Sequence, residues 1–190
     1  MPAVLQPRLS PEEYLALEAS SSTKHEYING ETYAMAEATD AHVTVALNIA
    51  AALKTHLRGG PCRVFISDMQ LQVQASNAYF YPDVFVSCQP EDRGAAKTDA
   101  TLVVEVLSTS TAAFDRGAKF AHYRHLPGLR ELLLVDPQER TADLYRRGSD
   151  GLWVLYPTSS TTPEACIELA SLDLQLPMSV VLEDVPLRLE

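Results

Sequence analysis

Asp83 and Glu105 are the residues whose type and setting most suggest chemistry. Asp83 follows Tyr81-Pro82 and opens the apolar run Val84-Phe85-Val86. Glu105 interrupts a second run, Leu102-Val103-Val104 before it and Val106-Leu107 after it. A carboxylate inside a central strand is costly unless it is paired or bound to a cation. Each residue alone has a plainer reading: Asp83 as an acid that ends a loop, Glu105 as an open-face or Arg-paired strand residue. Together they say more, because they stand on consecutive strands expected to be neighbours. Two converging carboxylates with a backbone carbonyl between them, that of Val106, make an oxygen site for Mg²⁺ or Mn²⁺. Mg²⁺ takes near-octahedral oxygen ligands and keeps several waters, one of which can serve as a nucleophile.

The elements that must position these residues can be read along the chain. Ser10-Pro11-Glu12-Glu13 predicts a helix to about residue 19, with Ser10 as N-cap, Pro11 in the first turn and Glu13 closing a capping box. The runs 25–28 and 31–35 flank Asn29-Gly30, a strong hairpin signal because both turn residues tolerate positive φ. A long helix is expected over about 41–58, with His42, Ala46, Ile49, Ala50, Leu53 and Leu57 on one face and Gly59-Gly60-Pro61 ending it. Strands follow at about 62–67, 69–74, 82–88 and 101–107. In the second of these Met69, Leu71 and Val73 alternate with Gln70, Gln72 and Gln74, which predicts one wet face. A second helix over about 112–126 stops at Pro127-Gly128, and a buried strand over 130–136 comes next. A hairpin of 142–146 with 152–156 and short strands or turns over 166–182 complete the chain. This order predicts an α/β fold: a mixed sheet flanked by helices, with an N-terminal helix and β-hairpin and a C-terminal β extension.

On the second helix Phe114, Ala118 and Ala121 form an apolar stripe. Asp115, Lys119 and His122 form a polar stripe roughly 100° away, so Lys119 is expected beside the buried face. Lys119 reads either as a solvated residue paired with Asp115 at i, i+4 or as an ammonium that reaches a metal-bound water and positions it for attack. His42, in the first turn of its helix, is either a core histidine or a phosphate contact or proton carrier. Glu26, just before the hairpin turn, reads by itself as an exposed strand carboxylate. Ser108 to Thr111 reads as a loop with an N-cap, or as a phosphate-holding turn.

The ordered set Glu26-Tyr27-Ile28-Asn29-Gly30-Glu31, His42, Tyr81-Pro82-Asp83, Val104-Glu105-Val106-Leu107-Ser108, Asp115, Lys119, Tyr123 and Leu134-Val135-Asp136-Pro137 resembles the Uma-two family within the PD-(D/E)XK nuclease superfamily. The resemblance spans about residues 10–146. It implies a restriction-endonuclease-like fold and a Mg- or Mn-dependent endonuclease acting on DNA. It also implies that Asp83 and Glu105 hold the metal and that Glu26 adds a ligand or supports one. The superfamily usually places a lysine two residues after the glutamate, where this chain has Leu107. In the closer family the lysine comes from the following helix, which matches Lys119, and an ammonium there can stabilise charge developing on the phosphate.

Composition bounds these readings. The 190 residues fit one domain, with its core over about 40–137. A hydrophobic share of 46% is that of an ordinary folded protein, which excludes a disordered chain. No apolar run approaches the ~20 residues of a membrane span, and Met1 to Ser10 lacks a secretory core, so a cytoplasmic protein is expected. Cys62, Cys88 and Cys166 are odd in number and far apart, which predicts three free thiols and no zinc site. The net charge of −10 works against non-specific nucleic-acid binding, although residues 115–147 carry seven basic side chains against five acidic ones. That charge and Leu107 keep an alternative open, a catalytically inactive nuclease-like module that binds nucleic acid or protein. A hydrolase of small phosphoesters is a third reading. A homodimer is expected, since two sites about a two-fold axis suit the cutting of both strands of a duplex.

Overall fold

The structure is a computed structural model that describes residues 8–89, 94–162 and 164–186. Met1 to Pro7, Pro163 of the loop after residue 159, and the C-terminal residues 187–190 lie outside the described residues.

Helix α1 (Pro11–Ser20) has the expected capping box. The Ser10 hydroxyl accepts from the Glu13 N–H, and the Glu13 carboxylate accepts from the Ser10 N–H at 2.7 Å. Strands β1 (His25–Ile28) and β2 (Glu31–Ala34) form the hairpin, and Asn29 and Gly30 both take positive φ. Helix α2 (Asp40–His56) is capped by Thr39 and buries Val45, Ile49, Ala50 and Leu53. Next come β3 (Arg63–Ile66), β4 (Gln70–Val73), β5 (Ala78–Phe80), β6 (Val84–Ser87), β7 (Ala96–Lys97) and β8 (Leu102–Val106). A helical segment follows, built of α3 (Ala112–Phe114), a π-helical turn (Asp115–Lys119) and α4 (Phe120–Tyr123). The chain continues through β9 (Glu131–Asp136), β10 (Thr141–Arg147), β11 (Trp153–Ser159), β12 (Cys166–Leu169), β13 (Leu174–Pro177) and α5 (Met178–Val181).

Two sheets carry the fold. The larger has the order β11-β10-β9-β8-β6-β3, parallel only between β8 and β9. The smaller has the order β2-β1-β5-β4-β7, and β12 pairs with β13 as a separate hairpin. Alternation along the central strands sends side chains to two different cores. Val84, Val86, Val104, Val106, Leu133 and Val135 face α2 and the C-terminal hairpin. Phe85, Val103, Leu132 and Leu134 face the smaller sheet and α4, where they meet Leu71, Phe80, Phe120 and Tyr123. The predicted mixed sheet with helices on its faces, N-terminal helix and hairpin, and C-terminal β extension is what the chain forms. Among the described residues, no helix is long and apolar enough to cross a membrane.

Three expectations need correction. The glutamine face of β4 is wet only in part: Gln74 is exposed and Gln72 half-buried, but Gln70 is buried and its amide donates to the Tyr14 hydroxyl of α1 at 2.7 Å. The end of the chain includes a helical turn, α5, as well as strands. Cys62 and Cys88 are not free thiols but a disulfide. In the β3–β6 register Arg63 faces Ser87, so the next pair outward is Cys62 and Cys88, and sequence distance is irrelevant once two strands pair. Cys166 remains free.

The C-terminal hairpin is held to the larger sheet by a buried carboxylate. Glu131 Oε1 accepts from Arg146 Nε at 2.8 Å and from the Ala170 N–H, while Oε2 accepts from the N–H and hydroxyl of Ser171. A carboxylate so fully supplied with donors is a stable arrangement at zero exposure.

The disulfide closes a segment with a sequence separation of 26 residues, a constraint on the unfolded chain worth ~3 kcal/mol. Thiol titration of the denatured, unreduced protein is expected to count one thiol. Reduction should raise the count to three and lower the melting temperature by several degrees. Three thiols before reduction would refute the pairing.

Candidate functional site

The β6–β8 register places Val84 opposite Val104. Carried one residue further, it sets Asp83 opposite Glu105. Glu26 arrives from β1 and Asp115, Lys119 and Tyr123 from the helical segment. Asp115, Lys119 and Tyr123 are four residues apart. In a plain α-helix each such step would turn the side chain by about 40°. The wider π turn has more residues per turn and takes up that drift, so all three face one way. All three are buried, and Ala118 and Phe114 are not. The expected apolar stripe is therefore not the packing face; Lys119 lies on that face itself, not beside it. Its charge is tolerated there because it is surrounded by acids.

The centre of the site is the Lys119 ammonium. Its Nζ lies 2.8 Å from Glu26 Oε1, 3.0 Å from Glu105 Oε1 and 3.7 Å from Asp115 Oδ1. The Phe80 ring closes one side, with its centroid 5.7 Å from Nζ. Glu105 Oε1 also accepts from the Tyr123 hydroxyl at 2.6 Å. Asp83 is held at both oxygens: Oδ2 accepts from the Val106 N–H at 2.7 Å, and Oδ1 lies 2.8 Å from His42 Nε2. His42 is thus neither an isolated core histidine nor remote from the acids, for it reaches from the first turn of α2 to Asp83. Val106 meets Asp83 through its N–H.

Burial decides the charge states. Desolvation pushes the Glu105 carboxyl up to about 8, against the pull of the Lys119 ammonium and with help from the negative charges of Asp83, Asp115 and Glu26. Burial likewise raises Asp115, although Lys119 and a hydrogen bond from Thr111 oppose it. For Lys119, burial disfavours the charge, but Glu105, Glu26 and Asp115 outweigh it and hold its pKa above the usual lysine value. Tyr123 is raised well above its ordinary value, by burial first and then by the charge of Glu105. Four carboxyls and one ammonium share a nearly dry space, and one ammonium cannot neutralise four carboxylates, so Glu105 tends to keep a proton.

This donor set suits a hard divalent cation, since carboxylate oxygens are its preferred ligands. Glu26 adds a third carboxylate, whose buried Oε1 lies 2.8 Å from the Lys119 ammonium. Among the described residues, no three His, Cys, Asp or Glu side chains already form a ligand cluster. The ammonium sits among the acids that would make one.

All five side chains singled out from sequence as candidate site residues, Asp83, Glu105, Lys119, Glu26 and His42, lie in this one region, linked through the contacts above. Two more belong with them, Asp115 and Tyr123. Their spacing of four residues on either side of Lys119 was the available signal, obscured because a π turn cannot be anticipated from that spacing.

The fold and site place the chain in a family. A family model described as "Putative restriction endonuclease", the Uma-two family, matches residues 11–179, and the chain belongs to that family. An uncharacterised protein of Synechocystis sp. is 38% identical over 182 residues, covering 95% of this chain and 94% of the relative. A second uncharacterised Synechocystis protein is 36% identical over 151 residues, covering 77% of this chain and 85% of its own. In fold, the chain is similar to a crystal structure titled a "putative nuclease" from Anabaena variabilis, with a TM-score of 0.76, 17% identity and coverage of 92% of this chain and 97% of that one.

A raised folded-state pKa for Glu105 sets the sign of a pH effect. The unfolded carboxyl titrates near 4.5 and the folded one near 8. Between those values the folded state binds more protons, so this group's contribution is complete below pH 4.5 and is lost as pH rises toward 8. In EDTA, the parent protein should lose stability relative to Glu105→Gln between pH 5 and pH 8, by on the order of a few kcal/mol. Parallel stability curves for the two proteins would show that Glu105 is ionised throughout.

Proposed function

We propose that the protein is a Mg²⁺- or Mn²⁺-dependent endonuclease that hydrolyses phosphodiester bonds of DNA. The observation that carries this reading is the convergence of Asp83, Glu105 and Glu26 with Lys119 at one end of the β6–β8 pair. Membership of a family described in nuclease terms, and a fold shared with a structure so titled, support the same class of chemistry.

In this reading Asp83 and Glu105 are the metal ligands, with the Val106 carbonyl as a third oxygen and Glu26 beside them. A bound Mg²⁺ or Mn²⁺ would supply Lewis-acid polarisation of the phosphate and lower the pKa of a water at the site. His42 and the Val106 N–H fix the orientation of Asp83, and the Tyr123 hydroxyl fixes Glu105, as supporting hydrogen bonds do for ligands in general. Lys119 offers a permanent positive charge where negative charge grows on the phosphate oxygens. Low exposure of the acids excludes bulk water and strengthens each of these interactions. Two copies about a two-fold axis would let both strands of a duplex be cut.

A binding module without turnover is the second reading, favoured by the net charge of −10 and by an ammonium already engaged with three carboxylates. Nicking of supercoiled plasmid separates the two. The parent protein should nick DNA with Mn²⁺ or Mg²⁺ and not with EDTA. Asp83→Asn and Glu105→Gln should each cut the rate by roughly 10²–10³-fold while melting as cooperatively as the parent. Metal binding with no cleavage of any DNA or RNA would favour the module. Full activity in both variants would remove these two acids from the chemistry.

A further inference from the structure

A divalent cation drawn to Glu105 and Glu26 would compete with the Lys119 ammonium, which already holds Oε1 of each. Nζ is within 3.0 Å of an oxygen of each, and it lies inside the ring of acids rather than at its rim, since Lys119 is only 5% exposed. A cation coordinated by the same carboxylates would stand a few ångströms from a like charge in a poorly screened space. We propose that Lys119 is the resident counter-ion of the metal-free site: it holds the acids together when no metal is bound, and it must leave Glu105 and Glu26 when one binds. The inference rests on the metal-site reading of the preceding subsection, and it concerns what limits metal entry rather than which bond is cut.

The surroundings give the displaced ammonium somewhere to go. Asp115, one turn back on the same helix, is already 3.7 Å from Nζ. The Phe80 face lies on the same side as a cation–π surface. A small rotation about the lysine's outer bonds can exchange Glu26 and Glu105 for Asp115 and Phe80 without bringing the charge out to solvent. Asp115 is then the residue that keeps the ammonium inside the site. Asp115 and Lys119, at i and i+4, share one face of the helical segment, where the exchange is possible. Tyr123 remains on Glu105 Oε1, so that carboxylate keeps its orientation while its cationic partner changes.

The consequence is a trade between two properties. Removing the ammonium frees the acids for the metal but leaves the empty site with unbalanced negative charge. The test measures Mn²⁺ binding by calorimetry, and melting with EDTA or Mn²⁺, for the parent, Lys119→Met and Lys119→Gln. Both variants should melt well below the parent in EDTA, recover more than the parent does on adding Mn²⁺, and bind Mn²⁺ roughly tenfold more tightly. A variant that folds only with Mn²⁺ gives the same support, because the ion is then doing the ammonium's structural work. Equal or weaker Mn²⁺ binding in both variants, or variants that fold in neither condition, would overturn the proposal. Failure of the nuclease reading looks different: the parent would not cleave nucleic acid, yet the variants would still gain Mn²⁺ affinity over it.

Discussion

One buried positive charge among four carboxyls is the constraint around which this protein is organised. Glu26, Asp83, Glu105 and Asp115 come from β1, the start of β6, β8 and the π turn. Their convergence in a nearly dry space would be strongly unfavourable without compensation. Lys119 supplies a cation, the Val106 N–H and His42 supply donors to Asp83, and Tyr123 supplies a donor to Glu105. Each of these partners depends on a different element being in register. The two sheets, α2 and the helical segment must therefore all assemble before any of the acids is satisfied, and the site doubles as a check on the fold.

The same constraint explains why the helical segment is not a regular α-helix. Three polar side chains at four-residue spacing drift by about 80° across the face of a straight helix. A π turn keeps them together, at the cost of poorer backbone hydrogen bonding in that turn. Proteins usually accept such local irregularity where a side chain must be aimed. Here the side chains so aimed are the ammonium, the carboxylate beside it and the hydroxyl one turn further on.

Much of the framework was legible in the sequence because it is specified locally. The Ser10–Glu13 capping box, the Asn29-Gly30 turn and the Gly59-Gly60-Pro61 stop act within a few residues, and each element they delimit was found within a few positions. The acids at 83 and 105 were legible for a related reason: a charge in an apolar strand stands out against its own neighbours. What escaped was decided by partners distant in the chain. Gln70 looks solvated until α1 is laid over it, and Cys62 meets Cys88 only through the β3–β6 register. Strand β5, three residues long, has no period of its own to detect. Lys119 was recognised as important, but its true orientation involved a π turn and acids from two other elements, Glu26 of β1 and Glu105 of β8.

The departure from the simpler superfamily pattern can be understood in the same terms. A lysine at position 107, two residues after Glu105, would share the alternating face of Glu105 at the end of β8, fixed by the strand itself. Leu107 instead packs among Phe120, Leu134 and their neighbours. Carrying the charge on the helix brings it to the carboxylates from the opposite side, across the gap between the sheets. A charge on the strand would move only with the sheet, which is clamped on both faces. A charge on the helix ends a flexible side chain whose partners include one acid, Asp115, that travels with it. The helix lysine is thereby tied to an acid on its own element, Asp115, four residues before it.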